Sequence, residues 1–185
     1  MVDLSGYAIE FAISNETFEK DGQSVSLYEN KSTGEVSKFG ISLKFLQRIQ
    51  PSATADDIRA LTERDATNFY RTFFWDIAHF GLLESPLIAA KTFDLQINMG
   101  QPQGVVVLQR ALSVPCDGLL GIETACAANS VNEQILCGAI VRAATSRYQA
   151  IHDVEVGQYG QRVADNNLQQ WITRLHKMPP PYEVH

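Results

Sequence analysis

Three glutamates, Glu16, Glu29 and Glu35, crowd one short stretch of the chain, and Ser37 follows close behind. Carboxyl groups at such spacing suit the cleavage of a glycosidic bond. That reaction needs a protonated acid at the leaving oxygen, and a second carboxylate or an oriented water on the other face of the sugar. An acid at a helix end is held rigidly, and a carboxyl partly withdrawn from water is kept as a proton donor. A hairpin folded against that helix end supplies the opposite wall and its second group, Glu29 or Glu35. The same spacing also describes solvated acids at an ordinary helix-to-hairpin turn, and spacing alone does not separate the two.

The elements that would position these groups can be read from the pattern. Leu4, Ala8, Ile9, Phe11, Ala12 and Ile13 recur at helical spacing and predict a helix over residues 4–16 that ends at Glu16. Asp21-Gly22 is a turn signal. "SVSLYE" alternates, with Val25 and Leu27 on one face, and "EVSKFGI" alternates back across the turn "NKSTG", which predicts one short hairpin. Helices dominate from Ser42 onward. Thr54 and Thr62 are candidate N-caps, and Thr62 has Asp65 three residues on, a capping-box start. Ala66, Phe69, Tyr70, Phe73, Phe74 and Ile77 form a heavy apolar face, with Phe73 expected in the core and Trp75 at least partly buried. Ser85-Pro86 opens the next helix and Gly100 closes it. A shorter helix follows over "PQGVVVLQRAL", then two or three more from about Ile122, and "MPPPYEVH" is an extended tail. Asp94 and Asn98 stand one turn apart, able to cap backbone or to line a cleft.

Composition excludes several classes. The 185 residues suggest one globular unit, and the 15 basic residues are scattered and outnumbered by 21 acidic ones, so no nucleic-acid footprint is present. No apolar run reaches the ~20 residues of a membrane span. "MVDLSGYAIEFAIS" lacks the basic start of a secretory signal. His79, His152, His176 and His185 show no metal-ligand spacing. Cys116, Cys126 and Cys137 read as small buried apolar side chains, with a Cys126–Cys137 disulfide as the second reading.

Several stretches together resemble glycoside hydrolase family 108, N-acetylmuramidases of lysozyme-like fold. "AIEFAISNETF" is similar to the family's "AIxFVLxxEGGY" helix without a gap from Ala8 to Glu16, and "SKFGIS", Ser37 to Ser42, to its "TKYGIS". "LTERDATNFYRTFFWD" and "AAKTFDLQINMGQPQGVVVLQRAL" follow in family order. "DGLLGIETACAA" and "NNLQQWITRLHKM" resemble the associated peptidoglycan-binding region, the latter its closing "GWxxR" helix. The family's "EGGY" is "ETFE" here, and its "DPxDPGG" hairpin is "ENKSTGE", which sets Glu29 at the first aspartate position and Ser32 at the second.

The resemblance implies a mainly α (α+β) lysozyme-like fold with one small β-hairpin. Residues 1–112 would form the catalytic region, 113–178 a helical peptidoglycan-binding region packed on it, and 179–185 a tail. It implies hydrolysis of the β-1,4 bond between N-acetylmuramic acid and N-acetylglucosamine. Glu16 would be the general acid, Glu29 the second carboxylate and Ser37 its helper, with Phe39, Gly40, Asp94, Gln96 and Asn98 along the glycan cleft. No metal or organic cofactor is implied. A lytic transglycosylase, using one glutamate and the sugar's own hydroxyl, and a non-catalytic wall-binding or secretion-accessory protein are the rival expectations. The enzyme would be made in the cytoplasm and act in the periplasm or cell wall after non-classical export, lysis or injection, as an endolysin or a secretion effector. An immunity protein or a holin-type export partner would accompany it.

Overall fold

The computed structural model describes residues 3–20, 23–30 and 32–183. The expected turn at Asp21-Gly22 and His185 lie outside the described residues. Helix α1 (Ser5–Asn15) buries the whole apolar face read from the sequence, Leu4, Ala8, Ile9, Phe11, Ala12 and Ile13. Its next residue, Glu16, is the C-cap, with its backbone N–H donating to the Ile13 carbonyl. The helix therefore delivers Glu16 at a fixed point on the edge of the core.

The β structure differs from a single hairpin. Strands β1 (Phe18–Lys20) and β2 (Gln23–Val25) form one antiparallel ribbon, and β3 (Leu27–Asn30), β4 (Glu35–Lys38) and β5 (Ile41–Ser42) form a second sheet in that order. Val25 pairs back to Phe18, whereas Leu27 pairs forward to Lys38. The alternation expected of one strand is thus divided at Ser26 between two partners. Ser26 accepts a hydrogen bond through its carbonyl from the Phe39 N–H, which ties the division point to the loop after β4.

The helices that follow are α2 (Leu43–Ile49), α3 (Ala55–Ala60) and α4 (Glu63–Tyr70). Thr54 with Asp57 and Thr62 with Asp65 both close full capping boxes. Beyond Tyr70 the chain widens into a π-helical turn, Arg71–Asp76. This corrects the expected apolar face. Ala66, Phe69, Tyr70, Phe74 and Trp75 are buried, but Phe73 is only half-buried and Ile77 is 63% exposed. A π turn closes i→i+5 bonds and holds an extra residue, so residues placed by a 3.6 period arrive rotated out of phase. The Gln101 side chain steadies the turn by donating to the Phe73 carbonyl at 2.9 Å.

Helix α5 (Pro86–Met99) is the central strut. Ser85 caps it through its hydroxyl, Pro86 opens it and Gly100 ends it at φ +81°. Helix α6 (Gln103–Leu112) crosses α5 backbone to backbone at Gly104, where a Cβ would lie 2.6 Å from the Thr92 carbonyl oxygen and the Gln96 nitrogen. Three further helices, α7 (Ile122–Ser130), α8 (Glu133–Tyr159) and α9 (Gln161–His176), complete the chain. Leu136, Ile140, Ala144 and Tyr148 make a buried stripe along α8, and Tyr148 stacks on Trp171 of α9. One apolar core runs from Leu4 through Leu175 and joins both halves of the sequence. The mainly helical, lysozyme-like class expected from the sequence is the class observed. Residues 177–183 run extended beside α1, where Tyr7 donates to the Pro180 carbonyl and packs edge-on against Tyr182. None of the described helices is long and apolar enough to cross a membrane. Cys116 and Cys126 are exposed and Cys137 is buried, all three as free thiols, so the burial expected for the cysteines holds at Cys137 alone and no Cys126–Cys137 disulfide forms.

Candidate active site

Glu16 meets the Phe39-Gly40 turn, which roofs it. Gly40 has φ +79°, and a Cβ there would lie 2.8 Å from Glu16 Cγ and Cδ and 2.7 Å from the Tyr70 hydroxyl. The approach is possible only without a side chain, which gives "SKFGIS" its glycine a physical reason. Phe39 also adopts a left-handed backbone, φ +53°. Tyr70, buried on α4, fixes this turn by donating its hydroxyl to the Phe39 carbonyl at 2.8 Å. Burial, with the Glu16 carboxylate adding to it, raises the Tyr70 pKa and keeps the phenol a donor.

From the other side comes Arg174, on the last turn of α9. Its Nη1 donates to Glu16 Oε1 at 2.5 Å, while Nη2 and Nε donate to Asp94 Oδ1 at 2.8 and 3.1 Å. Asn15 Nδ2 donates to the same Asp94 oxygen at 3.0 Å. One guanidinium therefore bridges two carboxylates, the geometry its planar fork allows. Burial works against the Arg174 charge, but Asp94 and Glu16 more than offset it and the pKa is raised, so the guanidinium stays charged. The Glu16 side chain keeps 20% of its surface open, against 2% for Asp94. Glu16 Oε2 has no hydrogen-bond partner among the described residues.

Lys91 anchors the helix that carries Arg174. It sits on α5, one turn before Asp94, and is 1% exposed. Its Nζ donates to the carbonyls of Leu175 and Lys177 at 2.6 and 2.8 Å, closing the C-terminal end of α9. A cation there satisfies orphan carbonyls and meets the negative end of the helix dipole. Burial lowers the Lys91 pKa, and Asp94 works against that shift. Helix α5 thus grips the last turn of α9 twice, through Lys91 and through Asp94.

The other expected site residues fall in different places. Asp94 does not line an open cleft; it is buried behind Glu16 and orients Arg174. Gln96 is 1% exposed and its side-chain oxygen accepts from the Gly104 N–H, so it locks α5 to α6. Asn98 is half-buried at a groove edge, where its Oδ1 accepts from the Tyr148 hydroxyl at 2.6 Å. Gly40 adjoins Glu16, and Phe39 precedes it in the same turn. On the hairpin, Glu29 is cross-strand from Val36 and pairs with Arg59 of α3 at 2.8 Å. Ser37 is cross-strand from Tyr28 and from Ser42. Side chains alternate along a strand, so Glu29 and Ser37 lie on opposite faces of the sheet, and Glu35 shares the face of Ser37. Neither Glu29 nor Ser37 is hydrogen-bonded to Glu16.

Arg174, Tyr70, Asn15 and Lys91 are the site residues that sequence reasoning missed. Arg174 stands in "QWITR", where the resemblance to "GWxxR" marks an arginine without giving it a task, and the apolar pattern around Tyr70 points only to the core. Asn15 and Lys91 carried no signal of their own.

Residues 15–100 match the family model of glycosyl hydrolase 108, a span that includes Glu16, both sheets and all of α5 but not α9. A solved structure of Brucella abortus SagA aligns with a TM-score of 0.68 and 19% identity, covering 92% of each chain, a likeness of fold. No curated protein matches.

Proposed function

We propose that this chain, whose residues 15–100 carry the glycosyl hydrolase 108 pattern, is a lysozyme-type peptidoglycan hydrolase that cuts the β-1,4 bond between N-acetylmuramic acid and N-acetylglucosamine. The observation that carries the reading is the seat of Glu16: a carboxyl at a helix end, roofed by Gly40, held by one oxygen and open at the other. Oε2 is the oxygen that donates a proton to the glycosidic oxygen. Asp94 balances the charge of Arg174, so a proton on Glu16 leaves a neutral Arg174–Asp94 pair behind it rather than a lone buried charge. Arg174 holds the carboxyl in a fixed orientation, which contributes to the rate by positioning.

Glu16→Gln keeps the shape and removes the titrating proton. Digestion of purified sacculi, followed by mass spectrometry, is expected to fall by about 10²–10⁴-fold in this variant, the usual worth of general acid–base catalysis. Undiminished release of muropeptides would remove Glu16 from the mechanism.

A lytic transglycosylase remains the second reading, because the Glu29 carboxylate is occupied by Arg59 on the face away from Ser37. Glu29→Gln and Glu35→Gln discriminate. A sharp loss in either names the second carboxylate of a hydrolase. Full activity in both, with 1,6-anhydro ends in the same digest, identifies the single-glutamate reaction.

A further inference from the structure

A groove of about 360 Å³ opens beside the Glu16–Arg174 pair, between the end of α1, the end of α5 and the last two turns of α9. Asn15 and Arg174 line it as well as holding Asp94, so the groove is continuous with the seat of Glu16. Gln170, Thr173 and Lys177 present a helical stripe along its α9 wall, and Asn98 and Gln169 add two more amides. Three features define what would fit. The lining holds no carboxylate, although the whole chain carries a formal charge of −6. The Gln170 amide and the Lys177 ammonium have no hydrogen-bond partner among the described residues, and both residues are exposed. Trp171, the only aromatic of the lining, has its ring stacked on Tyr148 at 5.4 Å, which takes one face from use as a sugar platform.

Amide side chains donate and accept like the peptide group they would meet, and a free ammonium asks for an anion. We propose that this groove binds the acidic stem peptide that branches from the muramic sugar of peptidoglycan, with Lys177 taking a peptide carboxylate and the amides of α9 taking its backbone. The proposal rests on the hydrolase reading for its placement, since the groove opens directly beside the seat of Glu16.

The test uses the full chain carrying Glu16→Gln, titrated with a synthetic L-Ala-γ-D-Glu-diaminopimelate tripeptide and followed by NMR. Shifts are expected at Gln170, Trp171 and Lys177. Lys177→Gln, a change at an exposed side chain that leaves the Lys177 carbonyl in place, is expected to weaken binding about three- to tenfold, as is amidation of the peptide carboxylates. In parallel, the native chain is expected to show a higher kcat/KM on peptide-bearing glycan strands than on strands stripped of peptide, and Lys177→Gln to lower that ratio. Peptide binding without cleavage of either strand upholds the groove and sinks the hydrolase reading. Cleavage with no peptide shifts and a ratio near one overturns the groove. Shifts produced by a chitooligosaccharide and not by the tripeptide overturn it too, making the groove a glycan subsite.

Discussion

At Gly40 the left-handed backbone and the contact with Glu16 coincide. Gly40→Ala is expected to cost about 1–2 kcal/mol for the backbone alone and to push Glu16 and the Tyr70 hydroxyl from their places, so the rate on sacculi should drop further than stability does. A denaturant titration beside a turbidity assay checks both. Arg174→Met strands Asp94, whose side chain is 2% exposed, and is expected to destabilise the fold by about 3–5 kcal/mol. Arg174→Lys keeps the charge but not the two-carboxylate fork, so it should fold and lose at least tenfold in kcat; an unchanged kcat would leave Arg174 a purely structural role. The sequence exposes these residues unequally. Glu16 and Gly40 stand inside short local patterns, and the structure brings them into contact. Arg174 meets Glu16 across 158 positions, a proximity that no local pattern encodes. Asp94, expected along the glycan cleft, is a buried counter-ion of Arg174, because type and spacing do not report burial.

Element boundaries were legible where a local hydrogen bond sets them. The caps at Thr54 and Thr62 and the Ser85-Pro86 start follow from side chains within one turn of the boundary, and the Gly100 stop follows from its positive φ. Thr62→Ala is expected to cost about 1 kcal/mol, read from the thermal midpoint. What the pattern could not show was the π turn at Arg71–Asp76, which Gln101 meets from another segment through the Phe73 carbonyl. The consequence is an order of effects opposite to a 3.6-residue reading. Phe74→Ala should cost about 3–5 kcal/mol and Phe73→Ala clearly less, while Ile77→Ser should stay within about 0.5 kcal/mol. Equal losses at Phe73 and Phe74 would contradict the wide turn. The divided strand at Ser26 escaped for a similar reason, because alternation says which residues share a face but not which partner each half will choose.

Across the whole molecule, α8 and α9 are joined near their outer end by His152, whose ring nitrogens face Asp165 at 2.9 Å and Asp153 at 3.1 Å. The hydrogen bond with Asp165, then that with Asp153, raises the His152 pKa. A raised folded-state value means that the clamp contributes fully below the unfolded value of ~6.5 and is lost as pH climbs through the folded one. The thermal midpoint should therefore decline as pH rises above about 6.5, and His152→Gln should flatten that part of the profile. The same two helices carry a consequence for how the protein comes into being. Ribosomes release a chain from its N-terminal end, and early segments begin folding before late ones exist. Glu16 emerges directly after α1, yet its guanidinium partner lies on α9 and the carbonyls held by Lys91 lie at the end of α9. A nascent chain can pack α1 against α5 before α9 has emerged, so the pocket around Glu16 would take its final form only when α9 docks, and any chemistry it performs would begin with that late step.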